Sequence, residues 1–440
     1  MKIKIIPIAV LTAATMFASC NRNNDGDILD DKGSPTSMTV SINFPEGPKI
    51  RSTYDPNGLD AEAKVNWVDI FVYNTNTGNL LSHANLTADK FDQVAGTSVA
   101  DVYQAKVKIQ TTTGARSVFA GINLPAAIVE NLKNQTVNAL TSDAQTMSRI
   151  EQAGANNFAM FSKDAVNASF VEDENDPANH VTLKCQRLVA KVTVETSATL
   201  EIGGSPGILG DLKFAVNNFN SKVFMLQGEA PNYKDPNWNT YTSSDYSDAA
   251  ATDYVEILDR KLIASPTKED YHPRYAAENT SNGKLKKEIT RATVRATFIP
   301  EVILEGSTGN FTENSIHGIT TPQTFYAVTR SVDEGTQYFF DVTVANEYAA
   351  ENGGSFRVVT YTDGYCYWDV FLGKNNQSLN KWDVLRNDYY QCNITRIVAP
   401  GRETPDLTDP DNTPDTDTKI TADIEILFWN TPILSDYILE

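Results

Sequence analysis

Hydrophobic and polar positions alternate most cleanly at the two ends of this chain. Met38, Val40, Ile42 and Phe44 are spaced by Thr39, Ser41 and Asn43, the period-two pattern of a strand with one buried face. Near the other end Ile420, Ala422, Ile424, Ile426 and Phe428 alternate with Thr421, Asp423, Glu425 and Leu427. Between them, Trp67–Tyr73, Val102–Ile109 and Ser117–Asn123 read as strands, and Ala126–Ala153 changes to helical spacing through Ile128, Leu132 and Leu140. A second block opens with a long strand over Arg187–Val194. It resumes at Ala292–Ile299, Gln337–Val344, Phe356–Tyr361, Tyr365–Leu372 and Tyr389–Val398. The stretch from Gly228 to Asn279, rich in Asp, Tyr, Asn and Ser, is expected to be an elaborated surface loop. Many short strands with turn punctuation and little helix predict an all-β chain of two antiparallel β-sandwich domains, each large enough for its own core.

What flanks the terminal strands gives them meaning. Lys2 and Lys4 precede an apolar run from Ile5 to Phe17 that ends in Phe17-Ala18-Ser19-Cys20, a signal peptide closing on a sequence similar to the bacterial lipobox, with Phe17 where Leu is usual. Cys20 is then the lipidation site; ordinary secretory cleavage nearby is the alternative. Residues 21–37 are polar and acidic and read as a tether. Arg51 follows the first strand, so one cut there releases the tether and empties what is expected to be an edge position of a sheet. Residues 404–419 (TPDLTDPDNTPDTDTK) form a linker that Pro and mutually repelling Asp hold extended, with a reach on the order of 50 Å at about 3.3 Å per residue. One terminal strand looks removable and the other donatable, and a free strand from a second copy repairs a sheet that has lost its own.

Composition narrows the function classes. A formal net charge of −19 opposes nucleic-acid binding, which Lys and Arg drive by neutralising phosphates. Beyond Cys20, the remaining Cys185, Cys366 and Cys392 lack metal-site spacing; a Cys366–Cys392 bridge and buried reduced thiols both stay open. Gly203-Gly204-Ser205-Pro206-Gly207 spells GxSxG, but Pro206 has no N–H to give an oxyanion hole, so a turn is expected. Phosphate-loop, dinucleotide and HExxH strings are absent, and the four histidines are scattered. Asp409, Asp411, Asn412, Asp415 and Asp417 lie among prolines with no Gly for a calcium-loop turn, and read as solvated linker. Glu172–Asp176 likewise reads as a charged loop. No cofactor, metal or catalytic residue is expected, and the chain is not read as an enzyme.

Taken together, the chain resembles a fimbrillin of the type V pili of Bacteroidales, the major and minor fimbrial shaft subunits. The resemblance rests on the lipobox and acidic tether, Met38–Phe44 followed by Arg51, Val68–Tyr73, Arg187 with Ala190-Lys191-Val192, Leu385-Arg386-Asn387-Asp388-Tyr389-Tyr390 and the terminal Ile420–Trp429 strand. It implies two transthyretin-like β-sandwiches and a lipoprotein precursor at the outer membrane. An Arg-specific protease removes the first strand (Met38, Val40, Ile42, Phe44) after Arg51, and the donor strand (Ile420, Ala422, Ile424, Ile426, Phe428) of another copy or related subunit fills the groove. The implied division is signal peptide 1–19, lipidated propeptide 20–51, N-terminal domain 52–182, C-terminal domain 183–403, flexible linker 404–419 and donor segment 420–440. The implied role is a cell-surface fimbrium supporting adhesion and biofilm formation. An uncleaved anchor, a tip adhesin and a monomeric glycan-binding lipoprotein are the alternatives.

Overall fold

The computed structural model describes residues 33–428 apart from 46–61, 63, 98–99, 147–157, 229–230, 239–241, 281–284, 317, 330–334, 353–355, 374–381, 408 and 415–418. Strands dominate. The first half runs β1 Pro35–Pro45, β2 Trp67–Asn74, β3 Leu80–Thr87, β4 Phe91–Thr97, β5 Ala100–Ala105, β6 Ile109–Thr112 and β7 Gly114–Ile122. Helix α1 Ala126–Lys133 follows, then β8 Gln145–Thr146, β9 Met160–Ser162, β10 Val166–Phe170 and β11 His180–Arg187. The order β3-β2-β7-β9-β11-β1-β5-β4, with β10 on β7 and β6 on β1, makes one continuous sheet that folds over a core including Ile70, Val72, Phe119, Phe161 and Leu183. The alternation expected to give one strand over Val102–Ile109 is divided between β5 and β6, because exposed Lys106, Val107 and Lys108 turn the chain between them.

The second half begins β12 Val189–Gly204, β13 Gly207–Asn217, β14 Phe219–Asn220, β15 Lys222–Val223, β16 Tyr246–Ser247, β17 Val255–Glu256, β18 Leu258–Asp259 and β19 Arg274–Ala277. It continues β20 Arg291–Pro300, β21 Val302–Ser307, β22 Asn310–Ser315, β23 Phe325–Thr329, β24 Thr336–Phe339, helix α2 Val342–Glu351, β25 Val358–Tyr361, β26 Tyr365–Phe371, β27 Asp388–Ala399 and β28 Ile420–Phe428. One sheet, β18-β12-β27-β28 with β19, faces another, β17-β13-β20-β26. Between them lie Val192, Val194, Phe214, Val294, Cys366, Trp368, Cys392 and Ile394. This is the all-β sandwich architecture. Most pairings are antiparallel, but β1–β11, β12–β27 and β12–β18 run parallel. Pairing partners change at Leu188, so Leu183–Arg187 belong to the first sheet and position 182/183 lies inside β11.

Two further local expectations are corrected. Val344, expected to end a strand over Gln337–Val344, lies in α2, where Asp341 caps the N-terminus by accepting from the Thr343 N–H at 2.7 Å. Residues 228–279 are not only surface loop. They supply β16 to β19, and Asp235, Asn237 and Tyr271 within them are buried. The GxSxG segment is the β12–β13 turn: Ser205 N–H donates to the Ala399 carbonyl (2.9 Å), and its hydroxyl accepts from Tyr338 Oη (2.6 Å). Gly204 there has φ +92, and a Cβ would meet the Ala399 oxygen at 2.2 Å, so only glycine fits.

The two halves are joined by buried charge. Lys191 Nζ meets Glu62 Oε2 at 2.9 Å, Tyr275 Oη donates to Glu62 Oε1 at 2.6 Å, and the Arg187 guanidinium donates to the Glu62 carbonyl. Within the second half, Arg386, 1% exposed at its side chain, holds Glu278 at 2.9 Å and also donates to the Phe224 and Met225 carbonyls. Breaking such a pair from one side leaves an uncompensated buried charge. Arg386→Met is expected to destabilise the chain by about 3 to 5 kcal/mol in urea unfolding, and Arg386→Met with Glu278→Leu to recover part of that loss; an unchanged midpoint for the single variant would show that the pair carries no such constraint.

Candidate functional site: the first and last strands

Alternation put one face of β1 inward, and the structure seats it deeply. Met38, Val40 and Ile42 are fully buried, while Thr39, Ser41 and Asn43 are half-buried on the other face. Yet β1 is an interior strand, not the edge strand expected. On one side it pairs in parallel with β11 (Thr39 with His180 through Asn43 with Lys184). On the other it pairs antiparallel with β6 (Pro35 with Thr112 through Met38 with Ile109) and then β5 (Ser41 with Gln104 through Pro45 with Ala100). Three fully buried side chains are worth roughly 5 to 9 kcal/mol by transfer. Two backbone ladders add to that. Removing β1 therefore opens a slot inside the sheet, with unpaired groups along both walls.

A residue that periodicity did not reveal fastens β1. Asn179 is fully buried, and its amide nitrogen donates to Thr36 Oγ1 and to the Ser37 carbonyl, both at 3.1 Å. Its Oδ1 accepts from the Val171 N–H at 2.9 Å, and Thr36 Oγ1 in turn donates to the Val171 carbonyl at 2.8 Å. The turn Asp176-Pro177-Ala178-Asn179, in which Asp176 caps a short 3-10 helix by accepting from Ala178 N–H, aims it there. That Asp-Pro turn is the only local signal. A second clasp at the strand entry joins Ser34 and Thr113, each donating its N–H to the other residue (3.0 and 2.9 Å).

The last strand sits differently. β28 lies at the edge of its sheet, antiparallel to β27 from Ile397–Ile420 to Asp388–Phe428. Ile420, Ala422, Ile424 and Ile426 pack against the second core yet stay only partly buried; Thr421, Asp423 and Glu425 are exposed. In the described part of 404–419, expected to be extended, the chain turns and is stapled to the body: the Lys286 and Lys287 N–H groups donate to the Asn412 and Pro410 carbonyls, and Lys287 pairs with Asp411. Such exposed ion pairs are worth about 0 to 1 kcal/mol. Cys20 and Arg51 lie outside the described residues.

The remaining chemistry is quiet. Cys185, Cys366 and Cys392 are buried and outside any disulfide, with no bridge between Cys366 and Cys392, and burial pushes the Cys185 and Cys366 thiols up to about 12. Among the described residues no cluster of three or more His, Cys, Asp or Glu could hold a metal ion, and no helix is long and apolar enough to cross a membrane.

Two family models match the chain. Major fimbrial subunit protein (FimA) covers residues 37–201, and Major fimbrial subunit protein type IV, Fimbrillin, C-terminal covers 359–432. The first match takes in β1 and the entry to the second sandwich, and the second takes in β27 and β28. No curated protein matches the chain in sequence. Among solved structures, a candidate cell adhesion protein of Parabacteroides distasonis aligns over 90% of this chain and 98% of its own, with a TM-score of 0.50 at 12% identity, which speaks to fold alone. A second from the same organism aligns over 90% and 100% (TM-score 0.45, 12% identity). A tip fimbrial protein of Porphyromonas gingivalis with a truncated C-terminus aligns over 89% and 100% (TM-score 0.35, 16% identity).

Asn179→Ala strands the Thr36 and Ser37 groups that it satisfies, at about 1 to 3 kcal/mol for buried polar groups left unpaired. The expected outcome is a lower unfolding midpoint together with faster hydrogen exchange at the β1 amides than at β20. Equal protection of β1 in both proteins would mean that Asn179 does not fasten the strand.

Proposed function

We propose that this chain, a fimbrial subunit by the family matches of both its halves, polymerises by strand exchange: β1 is cut away after Arg51 and β28 of another copy takes its place. Fimbrial subunits are cell-surface, structural proteins that assemble with other pilus subunits, and no catalysis is ascribed to this one. The single observation that carries the reading is the contrast between the two strands. β1 fills an interior slot with Met38, Val40 and Ile42 fully buried, whereas β28 holds Ile420, Ala422, Ile424 and Ile426 half-buried at an edge.

The driving force follows. While the chain is intact, β1 is tethered beside its slot and its effective concentration there is very high. A cut at Arg51 turns it into a separate peptide that dilutes away once it leaves. β28 shares its alternation, so its apolar face enters the core while Asp423 and Glu425 fall on the outer face, where β1 itself carries the half-exposed Thr39, Ser41 and Asn43. The move takes an edge strand with one neighbour to an interior position with two. Interior ladders exchange slowly, which gives a polymer kinetic persistence. Lipidation at Cys20 holds the precursor at the outer membrane until the cut, and the same cut frees it. An uncleaved copy keeps β1, cannot accept a donor and can only give its own β28, so it would end a fibre as an anchor.

Ile424→Asp with Ile426→Asp places two charges on the inserting face. The variant is expected to be exported and folded but to form no SDS-resistant ladders, because in the unassembled subunit those residues occupy only a half-buried edge. Ladders of wild-type abundance from this variant would rule out β28 as the donor.

A further inference from the structure

The two free ends of the molecule carry unlike surfaces. β11 runs from His180 to the junction at Leu188, and β12 runs from Val189 away from it, so His180 and the far part of β12 lie on opposite sides of that junction. Beside β12, Leu258 pairs with Glu195 and Asp259 with Thr196, and the chain then turns at Arg260–Leu262 on the far side of the second sandwich. Leu262 is 80% exposed, more than any other large apolar side chain among the described residues. The turn that presents it is held at several points. The Leu262 and Ile263 N–H groups donate to the Asp259 carbonyl at 3.1 and 2.8 Å, and Arg260 pairs with Glu195 at 3.2 Å. Lys261, next to Leu262, is exposed.

The free end of the first sandwich is the counterpart in charge. Val171 is exposed there and is followed by exposed Glu172, Asp173 and Glu174. The β5–β6 turn brings exposed Val107 to the same end, since the neighbouring Lys108 Nζ donates to Asn175 Oδ1 at 2.8 Å. β1 also begins here: Thr36 Oγ1 donates to the Val171 carbonyl, and β1 then runs parallel to β11 toward the junction. One end is therefore apolar with a cation, and the other apolar with carboxylates. Within one chain they point apart, so the complement of each is the opposite end of another copy, a head-to-tail contact that repeats without closing.

Strand exchange, on which this inference rests, brings these ends together. β28 starts at Ile420 opposite Ile397, and Ile397 also pairs with Ile202 in the part of β12 beyond Glu195. Seated in the slot in the direction of β1, the donor strand places Ile420 at the free end of the acceptor's first sandwich. The free end of the donor's second sandwich then faces the acceptor's Val171.

We propose that the Leu262 turn of the donor copy docks on the Val171–Glu174 end of the copy that receives its β28, with Leu262 against Val171 and Lys261 toward the carboxylates. The contact takes exposed apolar surface out of water and sets the angle between successive subunits, which a strand on a long linker leaves free. The test is crosslinking in polymers matured from the full-length precursor. Leu262→Cys with Val171→Cys is treated with a short bismaleimide, the native Cys185, Cys366 and Cys392 being buried, and gels are run before and after boiling in SDS. Unboiled ladders report strand exchange; ladders that survive boiling report the contact. The expected result is boiling-resistant ladders from the double variant, none from either single variant, and about threefold less crosslinking when Lys261→Glu is added. Leu262→Cys with Val94→Cys, exposed but level with Lys184 near the junction, should give none. Unboiled ladders without boiling-resistant ones would overturn the docking and spare strand exchange, as would equal crosslinking through Val94. No ladders of either kind from the wild-type chain would remove strand exchange and the docking with it.

Discussion

A sheet that folds over a core cannot leave its middle unpaired, and in this chain one eleven-residue strand closes the gap. β1 is read from both sides, by β11 in parallel and by β5 and β6 antiparallel, while Met38, Val40 and Ile42 complete the first core. Everything distinctive about the molecule follows from the need to keep that position filled. The backbone groups along its walls are satisfied only by a strand, and the inward pockets only by apolar side chains at every second residue. Yet nothing in that requirement demands that the strand come from the same chain.

That separation between what the slot needs and who supplies it explains the otherwise odd placement of β28. A last strand laid along an open sheet edge, half-buried and attached by a linker with weak exposed contacts, adds little that a second sandwich with its own fully buried Val192, Phe214, Trp368 and Ile394 requires. It is covered enough to avoid the aggregation that a free apolar strand invites. By contrast the junction of the two sandwiches, built on Glu62 with Lys191, Arg187 and Tyr275, is buried.

Much of this was legible in the residue pattern. The alternation of Met38 to Phe44 and of Ile420 to Phe428 located both strands, and long runs such as Trp67–Tyr73 and Tyr389–Val398 located the walls of the cores. What period two does not encode is which strands become neighbours; β1 looked like an edge because it lies near the chain end, whereas its position inside the sheet is set by long-range pairing with His180–Lys184. Short elements escaped for a different reason. Strands such as Val255–Glu256 and Leu258–Asp259 are too brief to show alternation. The run Gln337–Val344 reads as strand to its end, yet Asp341 caps a helix that starts at Val342, and Asn179 looks unremarkable until the fold brings its partners to it.

The central claim is that the fibre contains subunits without their own β1. N-terminal sequencing of the protein in SDS-resistant material sheared from the surface of the native bacterium tests it most directly. The expected result is a start at Ser52, with Met38 to Phe44 missing from the polymer; polymers whose subunits still begin upstream of Met38 would contradict it.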